Sequence, residues 1–123
     1  MSDNYAWHAR QENAKQKVQA LVFVGDAMEE KIDDLCAAAG ELGLLGVPVF
    51  MFQEGHDAVA ENAYREVVRL SHGAYCRFDT GAAHELRELL RAVAAYASGG
   101  KKALAELSAR SAGGASALLA QLK

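Results

Sequence analysis

QALVFVGDAMEE, residues 19–30, decides the fold, because an apolar strand within it stops at a Gly-Asp pair and turns directly into a helix. The strand, Ala20 to Gly25, has no polar residue on either side, so both of its faces must be covered. Strands of this kind are typical of the parallel sheets of α/β proteins. The stretch also places Asp26 at the carboxyl end of the strand, where open α/β sheets hold their ligand sites.

The rest of the chain repeats this strand-and-helix unit. We predict strands over 20–25, 47–52 and 74–78 and helices over 28–42, 58–70 and 82–97. Pro48 stands at the start of the second strand, where a missing amide is tolerated. Gly43, Gly73 and the pair Gly99-Gly100 are predicted to end the three helices. Alternating elements with short connections predict a three-layer α/β/α, Rossmann-like domain with a short parallel sheet.

The two ends of the chain are predicted to be helical. Residues 1–19 form an N-terminal helical or flexible segment in which Tyr5, Trp7 and Ala9 fit a weak helical pattern. Residues 101–123 are rich in Ala, Leu, Lys and Glu and form a C-terminal helical extension, which Gly113-Gly114 divides into two short helices. The α/β core therefore spans residues 20–100.

Composition excludes several classes of partner. The chain of 123 residues carries 13 basic and 16 acidic residues, a net charge of -3 and no basic block, so nucleic acids and anionic membranes are disfavoured. Its apolar runs are shorter than the roughly 20 residues of a membrane helix, and its polar start lacks a secretory signal. We therefore expect a cytoplasmic protein of bacterial type. Cys36 and Cys76 are predicted to be small buried hydrophobes.

Sequence motifs of catalysis are missing. The chain has no Gly-x-Ser-x-Gly elbow, no Gly-x-x-x-x-Gly-Lys loop and no Cys-x-x-Cys pair. Gly40, Gly43 and Gly46 lie between a helix and the following strand, whereas a dinucleotide loop must lead from a strand into a helix. The sequence therefore favours a non-enzymatic module without an organic cofactor.

Acidic side chains follow the predicted strands. Because parallel strands bring their carboxyl ends to one edge, we expect four carboxylates to share a rim: Asp26, Glu54, Asp57 and Asp79. Carboxylate oxygens are the ligands that Mg²⁺, Ca²⁺ and Mn²⁺ prefer. The rim therefore predicts a divalent-cation site, and a metal-dependent binding or hydrolytic site is our alternative function.

A structural role competes with this interpretation for most of the same residues. Asp26 followed by Glu29 has the spacing of a capping box, and Asp57 and Thr80 are natural N-caps for the two later helices. Glu54 has no capping duty, because it comes directly after an apolar strand. Both interpretations of the rim stay open.

Three segments resemble a known family: LVFVGD over 21–26, GVPVFMF over 46–52 and LSHGAYCRFD over 70–79. From Ala20 to about Gly100 the chain resembles the carboxyl-terminal half of a divergent bacterial von Willebrand factor type A domain. That family builds a metal site from an Asp-x-Ser-x-Ser loop, a later threonine and an aspartate after its fourth strand. Only the aspartate has a matching position here, Asp26, so the resemblance implies a ligand without its partners.

The same resemblance implies an open sheet edge. The family's first strand lies beside its fourth, so Leu21 to Val24 would form an edge where that strand belongs. A long, apolar, unpaired edge is an association site. We expect either a homodimer through this edge or a second chain that supplies the missing strands, and the alternative is that residues 1–19 fold over it. The expected function is a self-associating protein-interaction module.

Overall fold

Eight helices and strands make up the part of the chain that the structure describes. The computed structural model describes residues 5–9, 19–26, 32–110 and 114–122. The elements are β1 (Tyr5–Ala9), β2 (Ala20–Gly25), α1 (Ile32–Leu44), β3 (Val49–Glu54), α2 (Ala58–Ser71), β4 (Ala74–Phe78), α3 (Ala83–Arg110) and α4 (Gly114–Gln121). The sheet order is β1-β2-β3-β4, in which β2, β3 and β4 run parallel and β1 is antiparallel.

Helices cover the sheet on both faces, as the apolar strands require. On one face, Phe50 and Phe52 of β3 join a core with α3 and α4. On the other face, Met51 joins a core with residues of α1 and α2. Every residue from Val49 to Gln53 is buried, because β3 has a strand on each side and a helical layer on each face. The three-layer α/β/α prediction is confirmed.

Residues 5–9 form a strand, so the helix predicted there is wrong. β1 pairs with five of the six residues of β2, from Tyr5 opposite Val24 to Ala9 opposite Ala20. The sequence held the signal, because Tyr5, Trp7 and Ala9 recur with the period of two that is typical of a strand. By pairing with β2, β1 supplies hydrogen-bond partners for outward N–H and C=O groups of β2 that would otherwise have none.

The open edge expected at Leu21 to Val24 is therefore wrong. β2 has β3 on one side and β1 on the other, so no row of free main-chain groups remains for a second copy or a complementing chain. The alternative, that the N-terminal segment folds over this edge, is confirmed for residues 5–9. The free outer edge of the parallel sheet belongs to β4 instead.

The helix ends follow the predicted glycines only in part. α1 continues past Gly43 to Leu44, and the left-handed turn falls at Gly46 with φ 77°. α2 ends in a left-handed His72, φ 62°, one residue before Gly73. α3 is interrupted at Gly99-Gly100, where Gly100 has φ 71° and ψ -160°, so the predicted break is confirmed. Within the described ranges, none of the helices is long and apolar enough to cross a bilayer.

Candidate functional site

The carboxyl ends of β3 and β4 are tied together by hydrogen bonds. The Gly55 N–H donates to the Phe78 carbonyl at 3.0 Å, and the Gly81 N–H donates to a carboxylate oxygen of Glu54 at 2.8 Å. The half-buried Glu54 thus connects the loop after its own strand with the loop after β4. Its carboxylate therefore has a structural role other than helix capping.

Asp57 is the N-cap of α2, as the structural interpretation predicted. Its Oδ1 accepts a hydrogen bond from the Ala60 N–H at 2.9 Å, and its own backbone is extended at φ -63° and ψ 116°. The side chain satisfies one of the amides that the first turn of a helix leaves without an intrahelical partner.

We expect Asp57→Ala to lower the free energy of unfolding by about 1 kcal/mol, because the Ala60 N–H loses its acceptor. Asp57→Asn keeps a side-chain oxygen and is expected to lose only a few tenths of that amount. Urea denaturation followed by circular dichroism measures both variants. Equal stability of wild type and Asp57→Ala would contradict the capping role.

Asp79 is exposed at the end of β4, and its main chain rather than its carboxylate is engaged. Its N–H donates to Oε1 of Glu85 at 3.0 Å, and its carbonyl accepts from the Ala82 N–H. Because α3 begins at Ala83, Thr80 does not stand at its N-cap, and that prediction is wrong. Glu85, in the first turn of α3, reaches back to the Asp79 N–H, which lies outside the helix.

Asp26 is exposed directly after β2, and its predicted capping partner Glu29 lies outside the described residues. Among the residues that the structure describes, no group of three or more His, Cys, Asp or Glu side chains is arranged to hold a metal ion. Glu54 and Asp57 each accept a main-chain hydrogen bond. The cation site at Asp26, Glu54, Asp57 and Asp79 stays a prediction.

A buried polar contact lies beneath this rim. Gln53, which precedes Glu54 in β3, is fully buried; its Nε2 donates to the Asp57 carbonyl at 2.9 Å. The Tyr75 hydroxyl donates to Oε1 of Gln53. Burial chiefly raises the pKa of Tyr75, with nearby Glu61 adding to the rise, so the hydroxyl keeps its proton and stays a donor. The guanidinium of Arg65 lies 4.5 Å from the Tyr75 ring centroid.

β4 lies at the outer edge of the sheet, and a side chain occupies part of that edge. The Phe78 carbonyl accepts a hydrogen bond from the Gly55 N–H, so the main-chain groups of Phe78 point toward β3. Successive residues of a strand direct these groups to opposite sides, so those of Tyr75 and Arg77 point away from β3, toward the outer edge. The amide of Gln121 pairs with Tyr75 twice: the Tyr75 N–H donates to Oε1 at 2.8 Å, and Nε2 donates to the Tyr75 carbonyl at 2.8 Å. Gln121 thus takes the place of a neighbouring strand.

The outward main chain of Arg77 has no comparable partner. No hydrogen bond to its N–H is found in the described segments, and its carbonyl is approached by the Cys76 thiol at 3.7 Å, a weak contact. The unpaired stretch is short, because Gln121 closes the edge at Tyr75 and β4 ends at Phe78. Sequence analysis missed Arg77, although the alternation of side chains in β4 could have marked it as a strand residue facing away from α3.

A cleft of about 420 Å³ opens beside Arg77, between β4 and the first turns of α3 and α4. Its lining residues are Cys76, Arg77, Phe78, His84, Glu85, Glu88, Leu89 and Gly114. Three of them are apolar or weakly polar, and two of them are carboxylates. Burial raises the pKa of the Cys76 thiol, which leaves little thiolate for nucleophilic chemistry.

Comparison with protein-family models, curated proteins and solved structures finds no match to this chain. The resemblance to a von Willebrand factor type A domain therefore stays a prediction.

Proposed function

We propose that this chain is a non-enzymatic protein-interaction module that binds an extended segment of a partner protein at the free edge of β4. The observation that carries the proposal is the outward main chain of Arg77, beside a cleft of about 420 Å³: its N–H has no partner among the described residues, and its carbonyl has only the weak contact of the Cys76 thiol. Unpaired sheet edges are where proteins add a strand from another chain. We also propose that residues 20–100 are similar to the carboxyl-terminal half of a von Willebrand factor type A domain.

The main chain of Arg77 and the cleft beside it would contribute to binding in different ways. In strand addition, main-chain hydrogen bonds provide affinity and pockets for alternate side chains provide specificity. Here Arg77 offers the main-chain pair, and the cleft offers room for a side chain against Phe78 and Leu89. The raised pKa of Cys76 makes the cleft better suited to receiving a side chain than to covalent chemistry.

Replacing the Arg77 N–H tests the proposal. A random-peptide display library is selected on the immobilised wild-type protein, and the binders are titrated by calorimetry. We expect Arg77→Pro to weaken binding by about tenfold, because proline removes the donor and its ring stands where the added strand must lie. Arg77→Ala keeps the N–H and is the matched control, so the main-chain part of the binding should survive in it.

Proline is acceptable at this position, since it is tolerated on edge strands whose N–H faces solvent. Thermal unfolding of both variants verifies that each is folded before binding is compared. The proposal fails if selected peptides bind Arg77→Pro as tightly as wild type. It also fails if repeated selection on the wild-type protein enriches no peptide.

A further inference from the structure

We infer that the segment bound at this edge is an extended strand with an acidic residue opposite Arg77 and a Lys or Arg on either side of it. This inference rests on the proposed function and names the chemistry of its partner. Three observations support it: the face on which the Arg77 side chain lies, the carboxylates of the cleft, and the poor fit of a second copy.

The side chains of β4 alternate between the two helical layers. Cys76 and Phe78 pack with the core of α3 and α4, whereas Tyr75 packs with the core of α1 and α2. Arg77 therefore shares the face of Tyr75, and its guanidinium lies close enough to offset part of the rise that burial causes in the pKa of that hydroxyl. In an antiparallel pair, residues directly opposite each other present their side chains on the same face. A partner carboxylate opposite Arg77 would consequently lie beside its guanidinium.

The residues before and after that partner carboxylate would face the cleft, because side chains alternate along a strand. Glu85 and Glu88 line the cleft beside an apolar surface that includes Phe78 and Leu89. A Lys or Arg side chain suits both parts, since its aliphatic stem packs on apolar groups while its charge stays near carboxylates.

Both carboxylates keep the capacity to receive such a cation. Glu85 accepts one hydrogen bond, from the Asp79 N–H, which leaves further lone-pair sites. Glu88 lies 4.0 Å from the Arg91 guanidinium, the outer limit of an ion pair. His84 lines the same cleft.

A second copy of this chain fits the edge poorly. A twofold pairing centred on Arg77 would set two guanidinium groups directly opposite each other, which is destabilising. It would also direct Cys76 and Phe78 of the second copy toward the Glu85 and Glu88 carboxylates of the cleft. Neither side chain carries a positive charge that could pair with them. The charges therefore favour a different protein segment over self-association.

Three synthetic peptides test the charge pattern by fluorescence anisotropy. The first is Val-Thr-Lys-Glu-Lys-Thr-Val, the second has the same composition with a Glu-Lys-Lys centre, and the third is the first peptide with an N-methyl group on its glutamate. We expect the reordered peptide to bind about fivefold more weakly, because its charges no longer alternate to match the two faces. The N-methyl peptide should lose binding, since the methyl group removes the donor that pairs with the Arg77 carbonyl.

A double variant, Glu85→Gln with Glu88→Gln, tests the cleft itself. We expect it to bind the first peptide about fivefold more weakly, and the difference should shrink at high salt. The amide introduced by Glu85→Gln keeps an oxygen acceptor for the Asp79 N–H, so the start of α3 is retained. The matched control is Glu41→Gln with Glu106→Gln, which removes the same charge at exposed positions that do not line the cleft.

The outcomes separate this inference from the proposed function. If the double variant or the reordered peptide binds as tightly as its parent, the charge pattern is wrong, while loss of binding in Arg77→Pro would still uphold strand addition. If the N-methyl peptide binds like the unmodified one, both proposals fall, because main-chain pairing is then absent. Failure of all three peptides to bind the wild-type protein overturns the charge pattern alone.

Discussion

Gly73→Ala is expected to lower the free energy of unfolding by about 3 kcal/mol or more. A Cβ atom at this position would lie 1.9 Å from the Val49 carbonyl oxygen and 2.8 Å from the Val49 nitrogen. These are main-chain atoms at the start of β3, and the same Val49 N–H is held by the Ser71 hydroxyl at 3.1 Å. Neither segment can shift without disturbing the central strand, so the added methyl group forces a backbone rearrangement.

Gly40→Ala is the matched control, because it adds the same methyl group inside α1 with no heavy atom within 4 Å of the new Cβ. It is expected to stabilise the protein by about 0.5–1 kcal/mol through helix propensity. Guanidinium denaturation curves of the two variants and wild type give the comparison. A Gly73→Ala protein as stable as wild type would show that the close approach to Val49 is absent.

Gln53→Leu is expected to lower the free energy of unfolding by about 2–3 kcal/mol. Leucine nearly preserves the volume of the fully buried side chain, so the loss reports hydrogen bonding rather than a cavity. The Tyr75 hydroxyl loses its acceptor inside the protein, and the Asp57 carbonyl loses one of its two donors, the other being the Glu61 N–H. The Tyr75 hydroxyl, a buried donor without its acceptor, carries the larger of these two costs.

A double-mutant cycle tests whether the contact between Gln53 and Tyr75 carries this effect. Tyr75→Phe alone is expected to cost about 1 kcal/mol. The double variant should cost less than the sum of the single variants, since both polar partners are then absent. Urea unfolding of the four proteins measures the coupling, and strictly additive losses would mean that the two side chains do not interact.

Local sequence was enough to predict the parallel sheet. The strands 20–25 and 74–78 are predicted with the bounds that the structure has, because each is a short, mostly apolar run next to glycine or aspartate. Asp57 was likewise predicted as a cap, since capping depends on residues within one helical turn. Burial on both faces and the chemistry of a helix end can both be inferred from neighbouring residues.

For Gly73 and Gln53, the structure shows roles that the local sequence did not predict. Gly73 was predicted to end a helix, whereas His72 takes the left-handed conformation and Gly73 is required by the approach of Val49. Gln53 is buried against Tyr75, a contact that its neighbours in the sequence do not indicate. In each case the deciding neighbour is about twenty residues away along the chain, beyond the reach of local pattern.

The sequence by itself determined the layered α/β architecture, because apolar strands between amphipathic helices can bury their surface only in that way. The tertiary structure alone decided which sheet edge stays open. β1 covers β2, and Gln121 covers β4 at Tyr75, 46 residues earlier in the chain. A strand edge is closed when a segment distant in the sequence supplies matching N–H and C=O groups. Local sequence patterns do not predict which segment does so. The exposed main chain of Arg77 is therefore evident only from the folded protein.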